Sequence, residues 1–360
     1  MRPLGLLLVF LVVVAGCSGE SEDAGFAGLA SPGKTGQQLA FLQPGPGDRV
    51  HLPEDLGPHP RHRIEWWYLT ANLETSDGRP LGVQWTQFRQ AIQPRAVSEV
   101  PPLPSQWPLQ AAWMAHAAIS LDGQHRFAEK LARGDVGHAG AVAEPLHVWL
   151  DNWQLRQQDA GSWRLRVESS DWSYDLLLHI NGDPVAHGDH GFSAKSASGE
   201  GSMYFSLVDI AIEGTVTMRG EAVAVKGRGW FDREWSSQFL KAGQQGWDWF
   251  ALHLDSGDKL MAFQLRNKGD VFQSGTWIPA SGPPKMLNAS DLTLTPLAFS
   301  GKTPTGWRLQ LPDYQVDINV AAPAGNYRNS GLYAYWESPV SVSGSHSGEG
   351  YMELTGYDDD

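Results

Sequence analysis

Gly-Arg-Gly-Trp-Phe-Asp-Arg-Glu-Trp at Gly227–Trp235 and, after a polar connection, Gly-Trp-Asp-Trp-Phe-Ala-Leu-His-Leu at Gly246–Leu254 form the stretch from which the fold is read. Four tryptophans and three carboxylates fall within it. Helical spacing is absent from Gly229 to Trp235, whereas a strand fits. Alternation puts Trp230, Asp232 and Glu234 on one face and Phe231, Arg233 and Trp235 on the other. Two acids beside an indole are costly to bury, so a cavity lined by that face is the place to look for chemistry.

Composition supports strands throughout. The 360 residues include 40 Gly, 23 Pro and 16 Trp, a mix that favours short strands and turns over helical bundles. The length suits two ordinary domains or one large one. Net charge is −13, and no Lys/Arg-rich block occurs, so nucleic acid is rejected as a partner.

The single cysteine, Cys17, allows no internal disulfide. It follows Met1-Arg2-Pro3, a minimal positive region, and Leu4–Ala15, an apolar run too short to span a bilayer. Val14-Ala15-Gly16-Cys17 resembles the bacterial lipobox, in which the cysteine is acylated and becomes the mature N-terminus. By the same resemblance, Ser18 directs a lipoprotein to the outer membrane, facing the periplasm. The bland alternative is an ordinary cleaved signal with a chance cysteine. Residues 18–45 are rich in Ser, Gly, Ala and acid and read as a flexible tether.

Pro44 to Pro60 carries five prolines and reads as an extended or looped lead-in. Strand-like runs follow. Arg63–Thr75 turns at Ser76-Asp77-Gly78 into Leu81–Arg89, and the segment Ile210–Val225 turns at Arg219-Gly220. Trp67–Gly78, continued to Arg89, resembles Trp249–Gly257, continued to Arg266. Likewise Glu213–Gly220, running to Asp232, resembles Glu337–Gly344, running to Glu353. The body therefore reads as two related all-β units, 46–236 and 237–360. Antiparallel sheets that close on themselves remove exposed edges, and small barrels of this kind hold one ligand.

Several motifs occur in order. They are His59-Pro60 with Glu65-Trp66-Trp67-Tyr68; His187-Gly188 with Gly191, Ser193 and Lys195; Trp230–Trp235; Gly246-Trp247-Asp248-Trp249; and Gly350–Tyr357. Together they resemble the AttH/CrtC superfamily over about residues 46–357. The resemblance implies two tandem lipocalin-like antiparallel β-barrels, often on secreted or lipid-anchored bacterial proteins. One branch is carotenoid 1,2-hydratase, which adds water to a terminal isoprenoid double bond. Trp230 and Asp232 match that branch's aromatic residue two before its acid. Arg233 and Glu234 stand where its motif continues through His and Asn, and its upstream His-Trp pair has no match near Met203–Ser206.

Asp232 and Glu234 are thus the candidate catalytic pair. Protonating an alkene carbon needs a positioned acid, and a carboxyl in an apolar barrel has its pKa raised by desolvation. Trp67, Trp230 and Trp249 are candidate ligand-binding rings, with Asp248 beside them. The opposing reading makes the acids part of a salt-bridge network with Arg233, Arg89 and Arg266. Arg89 and Arg266 match between the units, as do Trp67 and Trp249, which favours a constructional role; Glu65, Asp248 and Glu234 find no counterpart. His187-Gly188-Asp189-His190 is the tight histidine cluster, read as a turn because no third ligand is spaced from it. No nucleophile elbow, phosphate loop or dinucleotide fingerprint occurs, so neither a serine hydrolase nor a cofactor is expected. The expected ligand is a lipid or isoprenoid, bound by a membrane-anchored carrier or, alternatively, hydrated with Asp232 as general acid.

Overall fold

A computed structural model describes residues 40–92, 94, 110–134, 136–196, 198–238 and 243–357. The leader, Cys17 and most of the tether lie outside the described residues. Among the described residues every element is a strand or a short 3-10 turn.

The first sheet contains β1 (Ile64–Thr75), β2 (Pro80–Ala91), β3 (Ala111–Leu121), β4 (Gln124–Arg133), β5 (Ala139–Val142), β6 (His147–Leu150), β7 (Trp153–Asp159), β8 (Ser162–Glu168), β9 (Trp172–Asn181), β10 (Val185–Ala186), β11 (Phe192–Ala194), β12 (Gly201–Met218) and β13 (Glu221–Ser236). The second contains β14 (Gln244–Leu254), β15 (Lys259–Asn267), β16 (Asp270–Ile278), β17 (Lys285–Leu287), β18 (Thr293–Ser300), β19 (Thr303–Leu311), β20 (Val316–Ala321), β21 (Arg328–Ser330), β22 (Ala334–Gly344) and β23 (Gly348–Leu354). The first sheet runs β4-β3-β2-β1-β13-β12-β9-β8-β7-β6-β5, with β10 and β11 beside β12. The second runs β17-β16-β15-β14-β23-β22-β20-β19-β18, with β21 beside β22. The fold is thus all-β: two tandem lipocalin-like units, a nearly closed barrel followed by a half-barrel.

Local chemistry explains the hairpins. Arg219 and Gly220 both have positive φ, 52° and 81°, as a two-residue turn between right-twisted strands requires. The resulting β12–β13 hairpin is longer than the run Ile210–Val225 suggests, because strand character continues back to Gly201 and on to Ser236.

Alternation then sorts the side chains. Trp67, Leu69, Ala71, Leu73 and Phe231 fill the first barrel with inward residues of β7–β9. Phe250, Leu252, Leu254, Met352 and Leu354 fill the second. A third apolar cluster belongs to neither interior. Tyr68, Tyr204, Trp230, Trp249, Ala251, Met261, Phe263 and Tyr351 join the outer face of one sheet to that of the other. A bulge between Leu207 and Ile210 makes this possible within one strand. The extra residue shifts the phase, so Tyr204 and Ser206 face the seam while Ile210 and Ile212 enter the core.

Candidate functional site

The seam between the two sheets is where Asp232 points. Within β13 it is paired to Tyr68 on one side and Ser206 on the other. Its carboxyl is 3% exposed and has no cationic partner among the described residues. Three neutral groups donate to it: Tyr204 Oη to Oδ2 at 2.8 Å, Trp230 Nε1 to Oδ1 at 2.6 Å, and Ser206 Oγ to Oδ1 at 2.5 Å. Burial outweighs those donors and pushes the pKa up to about 7, with the Glu234 charge adding to the rise. Near neutrality the group can both hold and release a proton.

A relay stands behind it. Ser206 Oγ lies 2.7 Å from His187 Nε2, and His187 Nδ1 lies 2.8 Å from Thr276 Oγ1 on the second sheet. Burial, with help from the Lys195 charge, lowers the His187 pKa to about 3, so the ring is neutral. Since Ser206 donates its proton to Asp232, it accepts from the imidazole Nε2–H. The order Thr-His-Ser-Asp is not that of a hydrolase triad, in which the acid holds the histidine. His190, on the same loop, is exposed and does not join this relay. No group of three or more metal-ligating side chains is found among the described residues.

Glu234 shares the face but not the environment. It accepts from Ser202 Oγ at 2.5 Å and pairs with Lys195 Nζ at 3.2 Å. That lysine also lies over the rings of Phe263 and Tyr204, at 4.5 and 5.0 Å from their centroids. Glu234 therefore belongs to the charged rim of the seam.

The second sheet supplies the opposite wall. Trp249 Nε1 donates to Tyr204 Oη at 3.2 Å, and its ring meets Tyr68 edge-on, 5.3 Å between centroids. Glu353 lies between Trp249 and Glu337 in register. Tyr68 donates to Glu337, and Trp247 Nε1 donates to Glu353 Oε1 at 2.6 Å. Burial raises both acids, Glu337 well above the usual carboxylate range and Glu353 to about 7. Glu353 nevertheless keeps part of its surface open, as do Trp66 and Trp247.

Trp67 and Asp248 do not meet Asp232, because strand alternation turns both into barrel interiors. Trp67 carries the Arg233 guanidinium over its ring at 3.9 Å. Arg233 and Arg89 both bind Glu65, which is fully buried. Burial opposes its ionisation, but the two guanidinium groups hold it well below the usual carboxylate range. Asp248 pairs with Arg266 at 3.2 Å and accepts from Gln264 at 2.6 Å, while burial lifts its pKa to about 6. A salt-bridge network with these arginines thus exists, but on the interior faces rather than around Asp232. Of these two acids, unmatched by sequence alignment, Glu65 anchors two arginines of the first unit and Asp248 one of the second.

A cavity of about 350 Å³ lies along the outer face of β2–β4 and is lined chiefly by apolar groups, including Phe88, Met114, Leu131 and Leu332. It does not reach Asp232. Cross-strand register nevertheless runs from it as Leu131–Met114–Phe88–Trp66–Glu234–Tyr204, one row from Tyr68–Asp232–Ser206.

Sequence reasoning singled out neither Tyr68, Tyr204 and Ser206 nor the Glu337 carboxyl. One signal was available for the last: Glu337 and Glu353 are equidistant from Ser345, so a hairpin turning there opposes them.

The family model described as AttH-like matches residues 43–357. An AttH protein of known crystal structure from Nitrosomonas europaea is 31% identical, with 89% of this chain and 100% of that one covered and a TM-score of 0.77. Kievitone hydratase from Nectria haematococca is 16% identical, with 88% and 98% covered and a TM-score of 0.65, a likeness of fold. No curated protein matches the chain in sequence. Matched over almost its whole described length, the chain belongs to the AttH-like family.

Proposed function

We propose that this protein binds a long, unsaturated apolar molecule, a lipid or isoprenoid, between its two β-units and adds water across one of its double bonds. The observation that carries the reading is the Asp232 carboxyl, buried without a cation, held by three neutral donors and raised to about 7. A structural salt bridge needs none of this. An acid that must protonate carbon needs a proton retained near neutrality and a geometry that holds it still.

Asp232 gives its proton to one alkene carbon, and a water oxygen bonds to the other. Trp230, Trp249 and Tyr68 offer ring faces to the cation between these events, each contributing roughly 0.5–2 kcal/mol. The hydratase of similar fold supports the reaction class only by analogy. The apolar cavity beside Phe88 and Met114 suits the unreactive tail of such a ligand. Because that cavity stands apart from Asp232, it also favours a second reading, a carrier in which no reaction occurs. Acylation of Cys17 would anchor either protein to the outer membrane on its periplasmic side. Loss of membrane-fraction protein on Cys17→Ser substitution tests that anchor.

The reaction is tested by incubating the protein with a total lipid extract in oxygen-18 water, followed by mass spectrometry. A labelled alcohol made by the wild type and absent with Asp232→Asn supports hydration through that acid. Unchanged lipids, with one species retained equally by both proteins, support the carrier.

A further inference from the structure

Beyond Tyr68, the register neighbour of Asp232, the second sheet presents two acids that the reading above leaves unused. Glu337 on β22 and Glu353 on β23 are a directly opposed cross-strand pair. Such neighbours lie about 5 Å apart at Cβ. Glu337 is fully buried; its Oε2 accepts from no N–H or hydroxyl, and its carboxyl lies within hydrogen-bond reach of the Glu353 carboxyl. Neither carboxyl has a cationic partner among the described residues. Their titratable surroundings are Tyr68 from β1, Tyr335 from β22 itself, Tyr351 from β23 and Glu234 from β13, besides each other.

Two carboxyls in hydrogen-bond contact and largely shielded from water resist ionising together, so one proton is held between them. We infer that Glu337 and Glu353 act as one proton-sharing carboxyl pair that accepts the proton of the attacking water on the wall facing Asp232. The inference rests on the hydration reading. As Asp232 protonates the alkene, the π pair becomes the new C–H bond. A lone pair of water forms the C–O bond, and the second proton of that oxygen passes to the ionised member of the pair, leaving the alcohol. Glu353, partly open to solvent, returns a proton to bulk water, and Asp232 is reprotonated; the balance is one water added. A purely structural pair needs no negative charge, and Gln at either position would serve it as well.

The carboxyl bands of the protein are followed by infrared titration in Glu337→Gln, Glu353→Gln, Asp232→Asn and wild type, with circular dichroism to check folding. Labelled-alcohol formation from the lipid extract is measured in parallel. The expected result is a coupled pair of steps in wild type and Asp232→Asn. Glu353→Gln should reduce them to one step at lower pH, since the like charge is gone. Turnover should fall about a hundredfold in either glutamine variant, with KM little changed. Independent titration of the two acids overturns the inference, and so does labelled alcohol formed at the wild-type rate by Glu337→Gln and Glu353→Gln. In that last case Asp232→Asn still decides the hydration reading. If the wild type makes no labelled alcohol, both the acceptor role and the hydration reading fall.

Discussion

Tyr68, on the outer face of the first barrel, donates its phenolic hydrogen to Glu337 on the second sheet, a bond between residues 269 apart in the chain. In register Tyr68 is also the neighbour of Asp232. One phenol thus stands between the acid of one wall and the carboxyl pair of the other. Tyr68→Phe keeps the ring contact with Trp249 and removes the donor alone. We expect a loss of about 1–3 kcal/mol in denaturant unfolding, the cost of a buried acceptor left without its donor. A variant as stable as wild type would show that Glu337 finds another donor.

Asp232 should make stability depend on pH with an unusual sign. Its pKa is raised on folding from the ordinary 3.8 to about 7, so between those values the folded state holds a proton that the unfolded state has lost. The contribution is present in full below about 4, declines as pH rises, and is gone above about 7. Glu353, raised from 4.5 to about 7, acts in the same direction. Asp232→Asn should flatten the decline between pH 4 and 7 in chemical denaturation. An identical pH slope in variant and wild type would contradict the raised pKa.

Glu65 has the opposite sign, since two arginines hold it ionised. Its contribution is present above its unfolded pKa of about 4.5 and is lost as pH falls through its lower folded value. Glu65→Gln leaves Arg233 buried without a carboxylate. It should destabilise by about 3–5 kcal/mol, as measured by the shift in denaturation midpoint. A loss below about 1 kcal/mol would mean that the Gly57 and Trp66 carbonyls, which also accept from Arg233, suffice.

Gly82 lies where the two sheets touch. A Cβ there would collide with the Tyr351 hydroxyl and reach Pro339 at 3.0 Å. Because Tyr351 is 2% exposed, it has little room to withdraw. Gly82→Ala should cost about 1–3 kcal/mol by overpacking. The double variant with Tyr351→Phe should recover part of that loss, a coupling visible in a double-mutant cycle. Strict additivity of the two changes would argue against the contact.

Much of this molecule was legible from local pattern. Alternation in Gly229–Trp235 assigned Asp232 and Glu234 to one face, and Asp77-Gly78 and Arg219-Gly220 marked hairpins. These features depend on neighbours a few residues away. The pairing of Glu65 with Arg89 and Arg233 was not legible, because it joins three strands and depends on which side of each strand turns inward. The same applies to which of Asp248 and Trp249, on opposite faces by alternation, turns inward, and to the bulge that reverses the phase of β12 after Leu207.

The sequence by itself determined the strand content, the turns, the repeated pattern and the acid-bearing face, since those follow from period-two alternation and turn chemistry along the chain. The tertiary structure decided which faces meet. It set Tyr204, Ser206 and Trp230 around Asp232, turned Trp67 and Asp248 away, and brought Glu337 and Glu353 opposite. The reason is that a carboxyl's proton affinity depends on desolvation and on the donors and charges within a few ångströms. For Asp232 those come from strands distant in sequence and are fixed only when the two outer faces pack together.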